Sequence, residues 1–379
     1  MKYIFVVRHI CYGGVETATW LLSKALASRG HAIEIWNLGN NTEDDLNRWL
    51  PFSTVKNIKK WQLLGYKVKS SELLVLVNNA AHAYAPKKGT ITIVHGDPTY
   101  KLTQATSFIC RIKQRAKLHK QHYSRSNFVI SNELATRLKP YTKQSPVYLP
   151  NPFDAYSVIK EANKPCNIDL PKQFILHIGR FGPEKKQEIL LASYLANQQL
   201  NAKMDMVFVG DEPQINGPIT EKLYTMANKS DVKSKVHFLG SQVNPWNILV
   251  RAKCLVLCSE FESMGYVLLE AMALNIPIVA TTTVGAKELL GDDFPGLVDL
   301  FPDLKNKSSL QTASVNDSSL KTTQILADKL IQVINNPQGF TKKLPDEYRV
   351  DIVADKFETL TQIDATERTN IPPEYLTTV

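Results

Sequence analysis

Short apolar runs alternate along the chain with segments whose apolar residues recur at helical spacing. Runs near Tyr3–Val7, Ile33–Asn37, Leu73–Val77, Thr90–Val94, Phe128–Ile130 and Val147–Leu149 predict strands in the first half. In the second half they fall near Phe174–Ile178, Met206–Val209, Val236–Leu239, Cys254–Leu257, Ile278–Ala280 and Gly296–Val298. These runs are rich in β-branched residues and nearly continuous, as in strands covered on both faces. Between the first two, Val15, Ala18, Leu22, Ala25 and Leu26 share a helical face, and Gly30 stands where a helix C′ residue belongs. The alternation predicts an α/β protein with two parallel sheets, one per half.

The halves are separated by Pro150-Asn151-Pro152 through Cys166-Asn167, whose prolines and mixed polar residues read as a linker. Residues 1–160 and 166–345 are the expected domains, and 346–379 a tail in which Val350, Val353, Phe357 and Leu360 keep helical spacing. The polar stretch 301–324 reads as a surface loop. A chain of 379 residues fits two domains at about 100–200 residues each.

Composition narrows the class. With 44% apolar and 21% charged residues, collagen-like and disordered readings fail. No apolar run approaches the ~18–20 residues of a spanning helix. The opening Met1–Arg8 carries a short apolar run and reads as a first strand rather than a signal peptide. Cysteines 11, 110, 166, 254 and 258 show neither zinc spacing nor a disulfide framework, which fits a reduced, cytoplasmic setting. The net charge of +9 is uneven. Residues 1–160 hold 23 Lys/Arg against 9 Asp/Glu, the remainder 22 against 27. A basic half points to an anionic target, nucleic acid or a membrane surface.

Glu262-Ser263-Met264-Gly265-Tyr266 through Glu270 follows the predicted strand Cys254–Leu257. Glu262 then lies at the carboxyl end of a parallel strand, where α/β sheets place ligands, and Glu270 about two turns into a helix. Carboxylates there accept hydrogen bonds from sugar or ribose hydroxyls, and the helix N-terminus takes a phosphate. Two unrelated glutamates, one exposed and one capping, satisfy the same spacing. Gly179-Arg180-Phe181-Gly182 with Lys185 follows another strand, so that Arg180 and Lys185 could converge on a diphosphate. It lacks Walker A and G-x-G-x-x-G spacing and is equally a basic surface turn. Gly13-Gly14 joins the first strand to the first helix, as a tight turn or a close approach to a ligand. His95, after Thr90–Val94, is a structural histidine or one that donates to a substrate. No D-x-D or histidine spacing suggests a metal site.

Two stretches of the basic half lack acids. Residues 46–71 mix Arg48, Lys56, Lys59, Lys60, Lys67 and Lys69 with Trp49, Phe52, Trp61 and Tyr66. Within 98–132, Ala105, Phe108, Ile109, Ile112 and Ala116 keep helical spacing among Arg111, Lys113, Arg115, Lys117 and Lys120. A basic amphipathic helix near tryptophans fits an interfacial membrane contact; an ordinary helix with one core face fits too.

Together these motifs resemble the retaining glycosyltransferases of family 4, and the resemblance runs over nearly the whole chain. Its parts stand in order: Gly13-Gly14-Val15-Glu16, His95, Leu149-Pro150-Asn151-Pro152, Gly179-Arg180 with Lys185, Val209-Gly210-Asp211, Phe238-Leu239-Gly240, Asn244-Pro245-Trp246, and Glu262 with Glu270. The resemblance implies a GT-B fold, two Rossmann-like domains with parallel sheets facing across a cleft, and a last helix crossing back to the first domain. It implies that Glu262 serves the donor sugar and Glu270 the ribose, while Arg180 and Lys185 neutralise the diphosphate. Gly13, Gly14, Gly179, Gly210, Ser263, Met264, Gly265 and Tyr266 would line the donor, the backbone of Val243 and Asn244 would meet the base, and His95 would stand near the sugar. Three positions depart from the family pattern: Ser263-Met264 replaces Gly-Phe, Asn275 replaces a glycine, and Lys186 stands where glycine often does.

The implied function is a metal-independent retaining glycosyltransferase with no cofactor. It would move a hexose or N-acetylhexosamine from a nucleotide sugar, UDP-linked, to a lipid-linked or lipopolysaccharide glycan. It would sit peripherally on the cytoplasmic membrane's inner face, bind its anionic surface, and bind no nucleic acid. A GT-B-type sugar-nucleotide epimerase is the alternative, but needs acid/base groups not identifiable here. A nucleic-acid-binding protein would use the basic half but leave the second-half motifs unexplained. An NAD-dependent dehydrogenase lacks its glycine fingerprint.

Overall fold

The computed structural model describes residues 1–362 except 12, 79, 104, 106, 213–216 and 302–314. The chain divides into two units, Met1–Asp154 with the chain from Pro345 onward, and Ala155–Leu344.

The first unit is built on a seven-stranded parallel sheet: β1 (Lys2–Val7), β2 (Ala32–Asn37), β3 (Thr54–Asn57), β4 (Glu72–Val77), β5 (Thr90–Val94), β6 (Ser126–Val129) and β7 (Val147–Tyr148), in the order β3-β2-β1-β4-β5-β6-β7. Tyr3 of β1 pairs in register with Ile33 on one side and Leu73 on the other. The chain winds outward through β2 and β3, then returns to β4. This leaves a topological switch point at the carboxyl ends of β1 and β4. The helix Val350–Gln362 belongs to this unit's core. Its Phe357 is fully buried and lies 5.5 Å from the Tyr3 ring and 6.0 Å from the Phe128 ring. Arg29, at the end of the helix Gly14–Ser28, pairs with Asp355 at 2.7 Å and with Glu358. Truncating Phe357 to alanine would cost about 3–5 kcal/mol.

The second unit holds β8 (Phe174–Ile178), β9 (Asp205–Val209), β10 (Val236–Phe238), β11 (Cys254–Leu257), β12 (Ile278–Thr281) and β13 (Leu297–Val298). The order is β10-β9-β8-β11-β12-β13, again all parallel, with its switch point between β8 and β11. The loops leaving those two strands carry the Gly179–Lys185 and Glu262 segments.

Several sequence expectations change. β3 was not foreseen: it is a short edge strand, mostly exposed, in which Lys56 interrupts any apolar run. The stretch read as a linker contains the helix Ala155–Ala162, whose Val158 and Ala162 are buried. The expected polar loop 301–324 is helical from Val315, in the helix Val315–Asn335; its other part, 302–314, lies outside the described residues. The basic segment does form a helix, Phe108–His122, capped by the Ser107 hydroxyl. Its apolar stripe does not enter the core, however. Phe108, Ile109 and Ile112 are exposed at 77%, 66% and 50%, and the helix instead buries Leu118 and His122. Among the described residues, no helix is long and apolar enough to cross a membrane.

Candidate functional site

The second unit's site is made of loops at the carboxyl ends of neighbouring strands, tied to one another by backbone hydrogen bonds. Gly179 N–H donates to the Val209 carbonyl (3.0 Å), Phe181 N–H to Asp211 (3.0 Å) and Gly210 N–H to Gly240 (2.9 Å). Gly210 is required twice over. Its φ is +130°, and a Cβ would stand 2.1 Å from the Gly179 carbonyl oxygen. Asp211 extends the lacing by accepting from Ser241 N–H at 2.8 Å.

The loops after β8 and β11 are joined more tightly still. Glu260 N–H donates to the Glu184 carbonyl (2.8 Å), and the buried Cys258 thiol donates to the carbonyls of Lys185 (3.1 Å) and Lys186 (3.3 Å). Burial pushes the Cys258 thiol up to about 12, so it stays protonated and donates. Over this frame the side chains pair across the loops. Lys185 Nζ meets the Glu262 carboxylate, and Lys186 Nζ meets Glu260 at 2.8 Å. Lys185 and Glu262 are largely shielded from solvent, whereas Arg180, paired with Glu184 at 2.7 Å, is mostly exposed. Lys186 adopts φ +53°, which explains why a glycine suits that position; Asn275 is likewise at φ +55°.

Behind Arg180 lies a buried polar chain that sequence reasoning missed. His177 is fully buried, and burial pushes its pKa down to about 4, with Val256 acting against that and Lys185 adding to it. The neutral ring donates from Nδ1 to the Val256 carbonyl (2.9 Å). It accepts at Nε2 from the Gln187 amide (3.3 Å), which also donates to the Arg180 carbonyl at 3.0 Å. This chain fixes where the Arg180 backbone stands. In the sequence, His177 was one more strand residue, and Gln187 carried no signal.

Glu262 is held by its own carbonyl, which accepts from Gly285 N–H at 3.0 Å. Gly285 comes so close that a Cβ would meet Met264 N at 2.4 Å. Ser263 and the buried Met264 then lead to Gly265, at φ +75°, which opens the helix Tyr266–Ala273. The free N–H groups of that helix start stand beside the Glu262 segment and favour an anion. Glu270 is partly exposed as a residue, yet its carboxyl is enclosed enough that burial pushes its pKa up to about 7. The Trp246 side chain acts in the opposite direction. Val243 is fully exposed, while the Asn244 side chain donates to the Glu161 carbonyl at 2.8 Å.

The remaining sequence candidates belong to the first unit. Gly13 precedes the helix Gly14–Ser28 in extended conformation, and Glu16 folds back so that a Cβ on Gly13 would lie 2.4 Å from its carboxylate. His95 follows β5 and is 6% exposed. Burial pushes its pKa down to about 4, with Asn151 acting against that, so the ring is neutral at pH 7. Its backbone N–H donates to Asn78 Oδ1 at 2.7 Å, and neither buried ring nitrogen has a hydrogen-bond partner among the described residues. The structure thus brings Arg180, Lys185, Glu262 and the start of the helix Tyr266–Ala273 together on laced loops. Gly13, Gly14 and His95 stand at strand ends of the other sheet.

Residues 158–305 match a known family, described as glycosyl transferases group 1. A stretch of 185 residues is 29% identical to the N-acetylgalactosamine-N,N'-diacetylbacillosaminyl-diphospho-undecaprenol 4-alpha-N-acetylgalactosaminyltransferase of Campylobacter jejuni, covering 48% of this chain and 46% of that protein. Another, 27% identical over 148 residues, aligns with an uncharacterized glycosyltransferase, MJ1059, of Methanocaldococcus jannaschii, covering 38% of this chain and 35% of that one. These alignments span less than half of either relative's length. Among solved structures, Anabaena Alr3699/HepE in complex with UDP and glucose superposes with a TM-score of 0.68 at 16% identity, over 96% of this chain and 100% of that one. WaaG, a glycosyltransferase involved in lipopolysaccharide biosynthesis, superposes at 0.57 and 14% identity over the whole of both chains. The chain thus has the GT-B fold and carries the glycosyl transferases group 1 signature over residues 158–305.

Proposed function

We propose that this protein is a retaining, metal-independent glycosyltransferase. It transfers a hexose or N-acetylhexosamine from a UDP-linked donor to a glycan carried on lipid or lipopolysaccharide. The observation that carries the reading is the Lys185–Glu262 pair, set between the exposed Arg180 and the start of the helix Tyr266–Ala273. A donor diphosphate would exchange Glu262 for its own oxygens at Lys185 and draw Arg180 from Glu184. That leaves Glu262 free to accept from sugar hydroxyls. Both cations then meet the charge that develops on the departing diphosphate, the main electrostatic demand of such a transfer. Glu270, at the start of the helix's second turn, accepts from the ribose. The name of the Campylobacter relative and the UDP in the HepE complex support a nucleotide-sugar donor and a lipid-linked acceptor.

The helix Phe108–His122 supports a peripheral membrane location. Its exposed Phe108, Ile109 and Ile112 are flanked by Arg111, Lys113, Arg115 and Lys120, the pattern of a helix lying in an anionic interface. In this reading the helix brings the first unit to the acceptor's membrane, on the cytoplasmic side.

A panel of nucleotide sugars, assayed for slow hydrolysis and for a rise in melting temperature, tests the donor. UDP-sugars should stabilise the protein and be hydrolysed equally well in EDTA. Stabilisation by none of the panel, or activity lost in EDTA and restored by Mg²⁺ or Mn²⁺, would contradict the reading.

A further inference from the structure

The first unit contains a cavity of about 410 Å³ at the carboxyl ends of β1, β2 and β4 that none of the donor residues lines. Its charged and titratable lining is Arg8, His9, Lys60, His82, Tyr84 and Lys117, with no acid among the described residues. Among the described residues, Arg8, Lys60 and Lys117 have no acidic partner, unlike every cation of the donor loops. Glu16 lines a separate, much smaller cavity beside Arg8 and His9.

The walls are built to hold this shape. Gly39 lets the chain pass where a Cβ would stand 2.4 Å from the Arg8 carbonyl oxygen and 2.5 Å from His9 Nδ1. Asn37, fully buried, clamps that glycine by donating to its carbonyl at 2.9 Å and accepting from its N–H at 3.3 Å. On the opposite wall Ala81 is held at φ +51°, a conformation that costs an alanine about 1 kcal/mol or more. The turn that follows is fastened from beneath by Arg125, 6% exposed, which donates to the carbonyls of His82 and Ala85, both at 2.8 Å. Five elements distant in sequence therefore converge on one basic hollow. Lys117 comes from the same helix whose apolar stripe is exposed.

We infer that this cavity binds a phosphate or diphosphate group of the acceptor. The inference rests on the glycosyltransferase reading for the word acceptor, but the anion site itself does not. Three cations and two histidines around one hollow match a multiply charged group better than a single carboxylate, and arginine with lysine is the usual pair for phosphate. The adjoining interfacial helix would set the charged group at the depth where a lipid headgroup lies.

The test is titration of inorganic pyrophosphate into the full chain carrying Arg180→Ala and Lys185→Ala, which removes both cations assigned to the diphosphate in the other unit. The same titration is repeated with Lys60→Gln and Lys117→Gln added; both side chains are on the surface, so folding is kept. Pyrophosphate affinity should fall at least tenfold. Unchanged affinity overturns the inference, as does a loss produced only by Lys87→Gln and Lys88→Gln, which line a different basic cavity. Farnesyl diphosphate binding more tightly than pyrophosphate identifies a lipid-linked source. Equal binding identifies a phosphate on the glycan, and both uphold the site. Glucuronate binding in preference to pyrophosphate overturns it in favour of a carboxylate. Failure of UDP to bind the unmodified chain would count against the donor reading alone.

Discussion

The two sheets end in loops of opposite electrostatic design. In the second unit each cation of the site has an acid: Lys185 with Glu262, Lys186 with Glu260, Arg180 with Glu184. In the first unit, Arg8, Lys60 and Lys117 surround a cavity that has no acid among its described lining residues. Paired charges hold a geometry in the absence of ligand and, in the proposed function, would be exchanged one for one when a diphosphate arrives. Unpaired ones leave a standing positive potential that attracts an anion and is sensitive to salt. In the proposed function the paired design suits exchange with a donor and the unpaired one suits capture.

The largest effect comes from breaking the paired region. Lys185→Ala should lower transfer about 10²–10³-fold with an unchanged melting profile, and Glu262→Ala should do the same. Turnover near wild type in either variant removes that residue from the chemistry.

Charge reversal at Arg111, Lys113 and Arg115 addresses the basic unit. At about 1 kcal/mol per basic residue near an anionic leaflet, the three should weaken binding to anionic vesicles about a hundredfold or more. Wild type should float with such vesicles at low salt and be released by added salt. Equal flotation of wild type and variant would leave the exposed helix without this role.

A smaller effect is expected from pH. Burial places the Glu270 pKa near 7, so the carboxylate proposed to accept from ribose is lost as pH falls from 8 to 6. UDP affinity should drop up to about tenfold over that range, and Glu270→Gln should flatten the profile. The stability sign is the reverse. The folded-state pKa lies above the ordinary 4.5, so the folded state holds the proton more tightly. The penalty therefore grows as pH rises from about 4.5 to 7, and Glu270→Gln should melt higher than wild type at pH 8.

The remaining effects are on stability and concern the frames. Gly210→Ala and Gly39→Ala each place a methyl group against a carbonyl oxygen, at 2.1 and 2.4 Å, and should each cost about 1–3 kcal/mol in thermal unfolding. Gly210→Ala should weaken UDP binding, and Gly39→Ala pyrophosphate binding.

Most of the fold was legible because buried parallel strands are written as continuous apolar runs. The edge strand Thr54–Asn57 was not, since an exposed edge needs no such run. The start of the helix Val315–Asn335 was hidden by its polar composition. Glu262, Lys185 and Arg180 could be picked out as charged residues after strands. Their pairing could not, because Lys185 and Glu262 meet only once β8 and β11 lie side by side. The stripe of Phe108, Ile109 and Ile112 was readable as a helical face, but periodicity does not say whether such a face meets a core. The anion cavity was illegible for the same reason as the ion pairs: its side chains come from five separate elements.

The central claim is that the laced loops of the second unit hold the donor. Hydrogen exchange of the full chain with and without UDP measures this most directly. Protection is expected in 179–186 and 259–270, the loops after β8 and β11 and the first turns of the helix Tyr266–Ala273. UDP binding that leaves those segments unprotected, or no binding at all, would contradict the account.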